Sequence, residues 1–286
     1  MLKKSMNTNV TDHACGEIPA CKPAPTSEPK PNEIVMFGDS TTANRPGAVQ
    51  QVYSVRVAAA LQSIESGLSV HNAGVGGNTT HDARNRFEHD VLRHKPRVIV
   101  MQFGINDSAV NVWKTPPATK PVVPLAEYLD NLHCMVTTAQ QHKAKVILMT
   151  TNPLRWTPKL KDLYGKSPYD FSAEDGFDSL HLAAYNDALR KFAKKLNVLL
   201  VDVRAAYPAF AAKHQTNIDG LLLDGMHPND LGHQLVSELL VPAIRAALRI
   251  KLPRLRKRDS IPKKQLPISS VGKGSGRPLA VEGTLP

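Results

Sequence analysis

Long apolar runs are missing from this chain. Nothing in its 286 residues approaches the roughly 18 consecutive apolar residues of a membrane helix. Met1-Leu2-Lys3-Lys4 is followed by Ser5-Met6-Asn7-Thr8, where an export signal would carry its apolar stretch. The expectation is a soluble, cytoplasmic chain with no transmembrane segment. Three cysteines are too few for a disulfide framework. Cys134 falls in an apolar helical pattern and reads as core; Cys15 and Cys21, with His13, read as part of a solvated tail rather than as a metal site. No internal repeat is present. The segment Gly74-Val75-Gly76-Gly77-Asn78-Thr79-Thr80 is rich in glycine, but it lacks the Lys-Ser/Thr ending of a P-loop and the Gly-x-Gly-x-x-Gly spacing.

Net positive charge is also scarce over most of the length. The net charge is +11, but residues 245–286 hold eleven Lys/Arg against two acidic residues, which leaves residues 1–244 at +2. The densest basic run, Arg254-Leu255-Arg256-Lys257-Arg258, has no aromatic interleaved, so stacking on single strands is not expected. Salt-sensitive phosphate contact is all that such a run offers, and no specific nucleic-acid partner is expected. Residues 1–32 are polar and carry Pro19, Pro23, Pro25, Pro29 and Pro31. Neither end can bury a core. The expected organisation is a disordered lead over 1–32, one folded domain over 33–250 and a basic disordered tail over 251–286.

Hydrophobic residues make up 42% of the chain, enough for a core, and the body alternates two patterns. Strands are predicted at Glu33–Phe37, Leu68–His71, Arg97–Phe103, Lys145–Thr151 and Asn197–Val203. Val98-Ile99-Val100-Met101, Val146-Ile147-Leu148-Met149 and Val198-Leu199-Leu200-Val201 are near-continuous apolar runs, as suits parallel strands covered on both faces. Helical stripes lie between them: Ala48, Val52, Val55 and Ala59; Leu125, Leu129, Leu132, Val136 and Ala139; Leu182, Tyr185, Leu189, Phe192 and Leu196. A last helix starts near Asp230 with Leu231, Leu235 and Leu239, and Pro242 should kink or end it. Alternating elements predict an α/β fold of three layers, α/β/α, around a five-stranded parallel sheet of flavodoxin-like order 2-1-3-4-5. The long segments 108–124 and 152–179 follow strands, so they should overhang the C-terminal edge of the sheet and wall a site there.

Four short motifs fall at those strand ends: Gly38-Asp39-Ser40, the glycine-rich turn with Gly77, Gly104-Ile105-Asn106-Asp107, and Asp224-Gly225-Met226-His227. Singly each has a bland reading as a turn, a cap or a loop ion pair. Jointly they supply the parts of acyl transfer, namely a hydroxyl, a base, an orienting carboxylate and donors for an oxyanion. The three-residue spacing of Asp224 and His227 lets the carboxylate reach one ring nitrogen while the other faces outward.

The four segments in this order resemble the SGNH hydrolases, also called the GDSL esterase/lipase family, over roughly residues 33–250. The resemblance implies the SGNH hydrolase fold, with Ser40 as nucleophile, His227 as base and Asp224 as its orienter. It also implies an oxyanion hole made by the Ser40 and Gly77 backbone N–H groups and the Asn106 side-chain amide. Thr41-Thr42 after the serine departs from the Ile or Leu of many members. The resulting expectation is a serine esterase working through an acyl-enzyme, without a metal or organic cofactor, on a small-molecule or carbohydrate ester. By analogy with the family's carbohydrate deacetylases, removal of acetyl groups from sugars is preferred. An acyltransferase with the same triad and a non-catalytic carbohydrate-binding module are the alternatives. Trp156 and Asn152, in the segment leaving the fourth strand, are expected to contact substrate.

Overall fold

A computed structural model describes residues 33–249. The expected lead over 1–32 and tail over 251–286 lie outside the described residues. Five strands, β1 (Glu33–Gly38), β2 (Ser69–Gly74), β3 (Val98–Gln102), β4 (Lys145–Met149) and β5 (Leu199–Val201), form one parallel sheet in the order β2-β1-β3-β4-β5. Eight α-helices connect and cover them: α1 (Tyr53–Gln62), α2 (Thr80–Asp90), α3 (Ile105–Ser108), α4 (Leu125–Gln141), α5 (Pro158–Tyr164), α6 (Leu182–Lys195), α7 (Val203–Lys213) and α8 (Asp230–Leu248). The α/β/α expectation and the strand order are those observed.

Two cores flank the sheet because its strands are apolar on both faces. Val35, Phe37, Ile99, Met101, Val146 and Leu148 pack with α2, α4 and α6 on one side. Ile34, Met36, Val98, Val100, Ile147 and Met149 pack with α1, α7 and α8 on the other. Ile34 through Phe37 are fully buried, and each such side chain contributes about 1.5–3 kcal/mol relative to exposure. β1 is therefore among the most firmly held parts of the fold. The chain leaves β1 toward β2 and later crosses to β3 on the other side, so a crevice opens between β1 and β3 at their C-terminal ends. Ser40, Gly77 and Asn106 follow β1, β2 and β3 respectively.

Several local expectations are corrected. β5 spans three residues: Asn197 is in the left-handed region (φ 51°) before it, and the Asp202 side chain caps α7 after it. The first helix begins at Tyr53, and its phase buries Tyr53, Val57 and Leu61 rather than the expected stripe. Val55 is accordingly 47% exposed. α8 runs through Pro242 to Leu248, because Leu240 and Ile244 on either side of it are fully buried against the sheet and that packing outweighs the lost helical bond. Cys134 is half-buried on α4 and disulfide-bonded, not a free core thiol. No helix among the described residues is long and apolar enough to cross a membrane.

Candidate active site

The Ser40 turn is shaped by close approach. A Cβ on Gly38 would stand 2.1 Å from Thr42 Oγ1, and one on Gly74 would stand 2.3 Å from the Ala43 nitrogen. Only glycine lets the turn after β1 pass so near the end of β2. Thr42 N and Ala43 N both donate to the Asp39 carbonyl, at 3.2 and 3.0 Å, which folds the chain back and leaves Ser40 half-buried at its bend.

Ser40 Oγ lies 2.9 Å from His227 Nε2. His227 Nδ1 lies 2.8 Å from Asp224 Oδ2 and 3.0 Å from Oδ1. Asp224 Oδ1 also accepts from the backbone N–H groups of Met226 (3.1 Å) and His227 (2.9 Å). Partial burial raises the Asp224 pKa, but the His227 ring bond and these backbone donors overcome it and hold the carboxyl well below the usual carboxylate range. The structure thus brings residues 184 or more positions apart in sequence into one hydrogen-bonded row.

The other residues singled out in the sequence, Gly77 and Asn106, lie on the turns that follow β2 and β3. Among the described residues no backbone acceptor takes the N–H of Ser40 or of Gly77. Gly77 has φ +77°, a conformation that L side chains rarely adopt. A Cβ on Gly76 would be 3.9 Å from Ser40 Cβ, whereas one on Gly77 would meet nothing within 4 Å. Asn106 Nδ2 donates to the Asn78 carbonyl at 3.0 Å, which locks the amide's orientation and leaves its second N–H for another acceptor.

Behind these residues lies a buried polar scaffold. Arg86 of α2 donates to the Gly38 carbonyl (2.9 Å), to the Ala73 carbonyl (2.8 Å) and to Asn78 Oδ1 (2.5 Å), with its guanidinium over the Phe37 ring. One side chain therefore ties together the ends of β1 and β2 and the loop carrying Gly77. Asp107, next to Asn106, is fully buried and accepts from Thr80 N (2.8 Å) and the Thr80 hydroxyl (2.5 Å), fixing the start of α2. Burial pushes its pKa up to about 6 against those bonds. Asp39 is also fully buried, and burial raises its pKa. Thr41 Oγ1 is 2.8 Å from both Asp39 Oδ1 and Gln102 Oε1. A hydroxyl has one proton, so Thr41 shares it between these two acceptors, and Asp39 Oδ1 also accepts from the Thr41 backbone N–H at 2.8 Å. Sequence reasoning missed Arg86 because it lies in a polar helix whose only buried residues are Thr80, Ala83 and Phe87. The one local signal was Thr79…Asp82, which forms a capping box.

Residues 36–235 match the GDSL-like Lipase/Acylhydrolase family. The chain belongs to this family. It is 34% identical over 180 residues to the uncharacterized lipoprotein YqeF of Bacillus subtilis, spanning 59% of this chain and 70% of that protein. It is 28% identical over 242 residues to an acetylxylan esterase of Geobacillus stearothermophilus, spanning 74% of this chain and 93% of that one. The crystal structure of Axe2, an acetylxylan esterase from Geobacillus stearothermophilus, matches with a TM-score of 0.58 at 25% identity, over 80% of this chain and 99% of Axe2. The lipase/acylhydrolase from Enterococcus faecalis shares the fold, with a TM-score of 0.58 at 24% identity, over 78% of this chain and 100% of that one. The protein is a GDSL-family hydrolase of the esterase type.

In this GDSL-family chain a small cleft of about 60 Å³, partly open to solvent, is lined by Ile105, Asn106, Tyr164, Tyr169, Phe177 and Met226 among others. Asn106 follows β3, and Met226 immediately precedes His227. Trp156 is not among the lining residues. Its ring stacks on Phe177 at 4.7 Å and meets Tyr169 edge-on at 6.1 Å, and its Nε1–H donates to the Asp170 carbonyl at 3.1 Å. The ring supports the wall from behind, within a satellite core that includes Leu154, Leu160, Tyr169 and Phe177. Asn152 is 1% exposed. Its Nδ2 donates to the Met226 carbonyl at 2.8 Å, so it braces the Asp224–His227 turn. Arg155 N adds a bond to the Gly225 carbonyl at 2.8 Å.

Proposed function

We propose that the protein hydrolyses carboxylic esters through a Ser40 acyl-enzyme and that its substrates are acetylated carbohydrates. One observation carries the first part: the unbroken row from Asp224 through His227 to Ser40, with contacts of 2.8 and 2.9 Å. Ser40 Oγ attacks the ester carbonyl carbon while His227 Nε2 takes its proton. Asp224 stays ionised, holds the proton on Nδ1 and stabilises the imidazolium. The carbonyl oxygen, now negative, is received by the Ser40 and Gly77 N–H groups and the Asn106 amide. The intermediate collapses, the alcohol leaves with the proton from His227, and the acyl group stays on Ser40. Water then attacks, His227 takes its proton, and acid and free serine are released.

The carbohydrate assignment is supported by the similarity to acetylxylan esterases. The test compares acetylated xylo-oligosaccharides with acetyl, butyryl and octanoyl esters of a simple alcohol. We expect kcat/KM for the acetylated sugar at least 10-fold above the octanoyl ester, loss of nearly all activity in folded Ser40→Ala, and labelling of Ser40 alone by a serine-directed phosphonate. Full activity in folded Ser40→Ala overturns the mechanism. Equal or better turnover of octanoyl esters overturns only the substrate.

A further inference from the structure

At the opposite end of the sheet three elements bring together side chains that the esterase chemistry does not use. Glu33 opens β1, His71 sits in the middle of β2, and His94 closes the 3-10 turn Leu92–His94. The register pairs Glu33 with Ser69 and Val35 with His71. Paired residues in parallel strands share a face, and alternate residues along a strand share a face, so Glu33, Val35 and His71 all project toward the α2 side. The 3-10 turn after α2 lays His94 over them. His94 Nδ1 is 3.3 Å from Glu33 Oε2, and their side chains are 19% and 15% exposed. The His71 and His94 rings lie 4.1 Å apart with 26° between their planes. One donor atom from each of the three residues falls within 4.8 Å of the other two.

We propose that Glu33, His71 and His94 bind a divalent transition metal of the zinc class. Two imidazoles and one carboxylate are a donor set that zinc takes, with water completing a tetrahedron. Donors about 2.0–2.1 Å from a shared ion stand roughly 3.4 Å apart. Glu33 and His94 already meet that spacing, and the residual closure of at most about 1.4 Å is within reach of rotation about the His71 and His94 side-chain torsions. An ion pair between Glu33 and His94 accounts for two of the residues but not the third. The ring nitrogens of His71 have no hydrogen-bond partner among the described residues, though the ring is only half exposed. A metal gives it one. Arg93 is the opposing charge nearby, and it is engaged with His89 at 2.8 Å, while Asp90 adds negative charge on the same side.

The site is structural, not catalytic. The strand from Glu33 to Gly38 lies between this cluster and the Ser40 turn, a span of about 17 Å at roughly 3.3 Å per residue. The ion would tie the edge strand β2 to β1 and to the turn that leads into β3.

The experiment uses the untagged full chain, stripped with chelator and dialysed against limiting zinc. We expect one zinc per chain by elemental analysis, and a rise in Tm of about 5 °C or more at 100-fold excess over Kd. His71→Asn/His94→Asn should lose that equivalent and the Tm rise while hydrolysing a small ester at the wild-type rate. Cobalt in the same site should give ligand-field bands without a thiolate charge-transfer band, which separates it from any ion held by cysteine. Should the double variant fail to fold, Glu33→Gln and His94→Asn singly are measured instead and should each weaken zinc binding at least 10-fold. No bound zinc in the wild-type chain, equal zinc in the variants, or a thiolate band overturns the proposal.

Discussion

Ser40 and His227 meet at 2.9 Å, yet the segments delivering them are held in different ways. Ser40 follows Ile34–Asp39, a run that is buried throughout, and its turn is pinned by Arg86, Thr41, Asp39 and Gln102. Asn106 follows the equally buried β3 and is backed by Asp107. The Asp224–His227 turn belongs to no strand. Leu223 before it is 42% exposed, and the Asp224 side chain is 44% exposed. Its supports are Asn229 capping α8, the Leu223 N–H donating to the His227 carbonyl at 2.7 Å, and the backbone and Asn152 side chain of the segment leaving β4. The serine side is thus positioned by the core of the sheet and the histidine side by one loop holding another. Substitutions on the two sides should fail differently: on the first through stability or through the chemical step alone, on the second through both together.

The sharpest probe of the first side is Asn106. On the proposed mechanism its amide binds charge that exists only in the transition state, so Asn106→Ala should lower kcat by about 10²–10³ with KM and Tm nearly unchanged. Steady-state kinetics on a small acetyl ester with a thermal melt checks this. A change confined to KM would move Asn106 from oxyanion binding to substrate binding.

Next in size is a pH effect from Asp107, whose pKa is raised from 3.8 to about 6 by burial. A raised carboxyl holds its proton in the folded chain after the unfolded chain has lost it. Between about pH 4 and 6 the native state therefore binds more protons, and stability falls as pH rises. Above about pH 6 both states are ionised and the full difference, about 3 kcal/mol, persists. Asp39 contributes in the same direction, so the informative quantity is the difference between wild type and Asp107→Asn. Urea melts at pH 4 and 7 should show a slope smaller by about 3 kcal/mol in the variant. Parallel slopes would mean that Asp107 is better solvated than its burial implies.

The same contrast separates what was legible in the sequence from what was not. β1, β3 and β4 announce themselves because both faces are buried, and Ser40, Asn106 and the Asp224–His227 spacing stand at strand ends or on one turn, where local pattern suffices. β2 is less legible. It is an edge strand with only Ala73 fully buried, so its true extent to Gly74 carries no apolar signal. α2 and α7 were not foreseen, since polar residues dominate one and alanines the other. The contacts of Arg86, Asp107 and Asn152 are tertiary. Each joins residues 27 or more positions apart in at least one bond, and no spacing rule reaches that far. Glu33, His71 and His94 are a group of the same kind, scattered across 62 positions.

The smallest expected effects test the loop-on-loop side, and they pair Asn152 with Trp156. Both were expected to touch substrate, and the structure gives both other partners. Asn152→Ala removes the donor to the Met226 carbonyl and leaves that carbonyl, two residues past Asp224, with one fewer restraint. We expect kcat to fall about 10-fold, the scale of one lost hydrogen bond of roughly 1.4 kcal/mol, with the same fractional loss on every ester and a Tm lower by a few degrees. Trp156→Ala removes a ring stacked on Phe177 and edge-on to Tyr169 and should cost about 2–3 kcal/mol of stability, again with no change in preference among acyl chains. The two variants should differ in how rate follows stability, because Asn152 acts on the turn itself and Trp156 on the wall beside it. At a temperature where both are fully folded, Trp156→Ala should retain most of the wild-type kcat and Asn152→Ala should not. A shift in acyl preference by Trp156→Ala at unchanged Tm would show that the ring reaches the substrate. A wild-type kcat in Asn152→Ala would show that the His227 turn is rigid without the β4 segment, and the contrast between the two sides of the site would then fail.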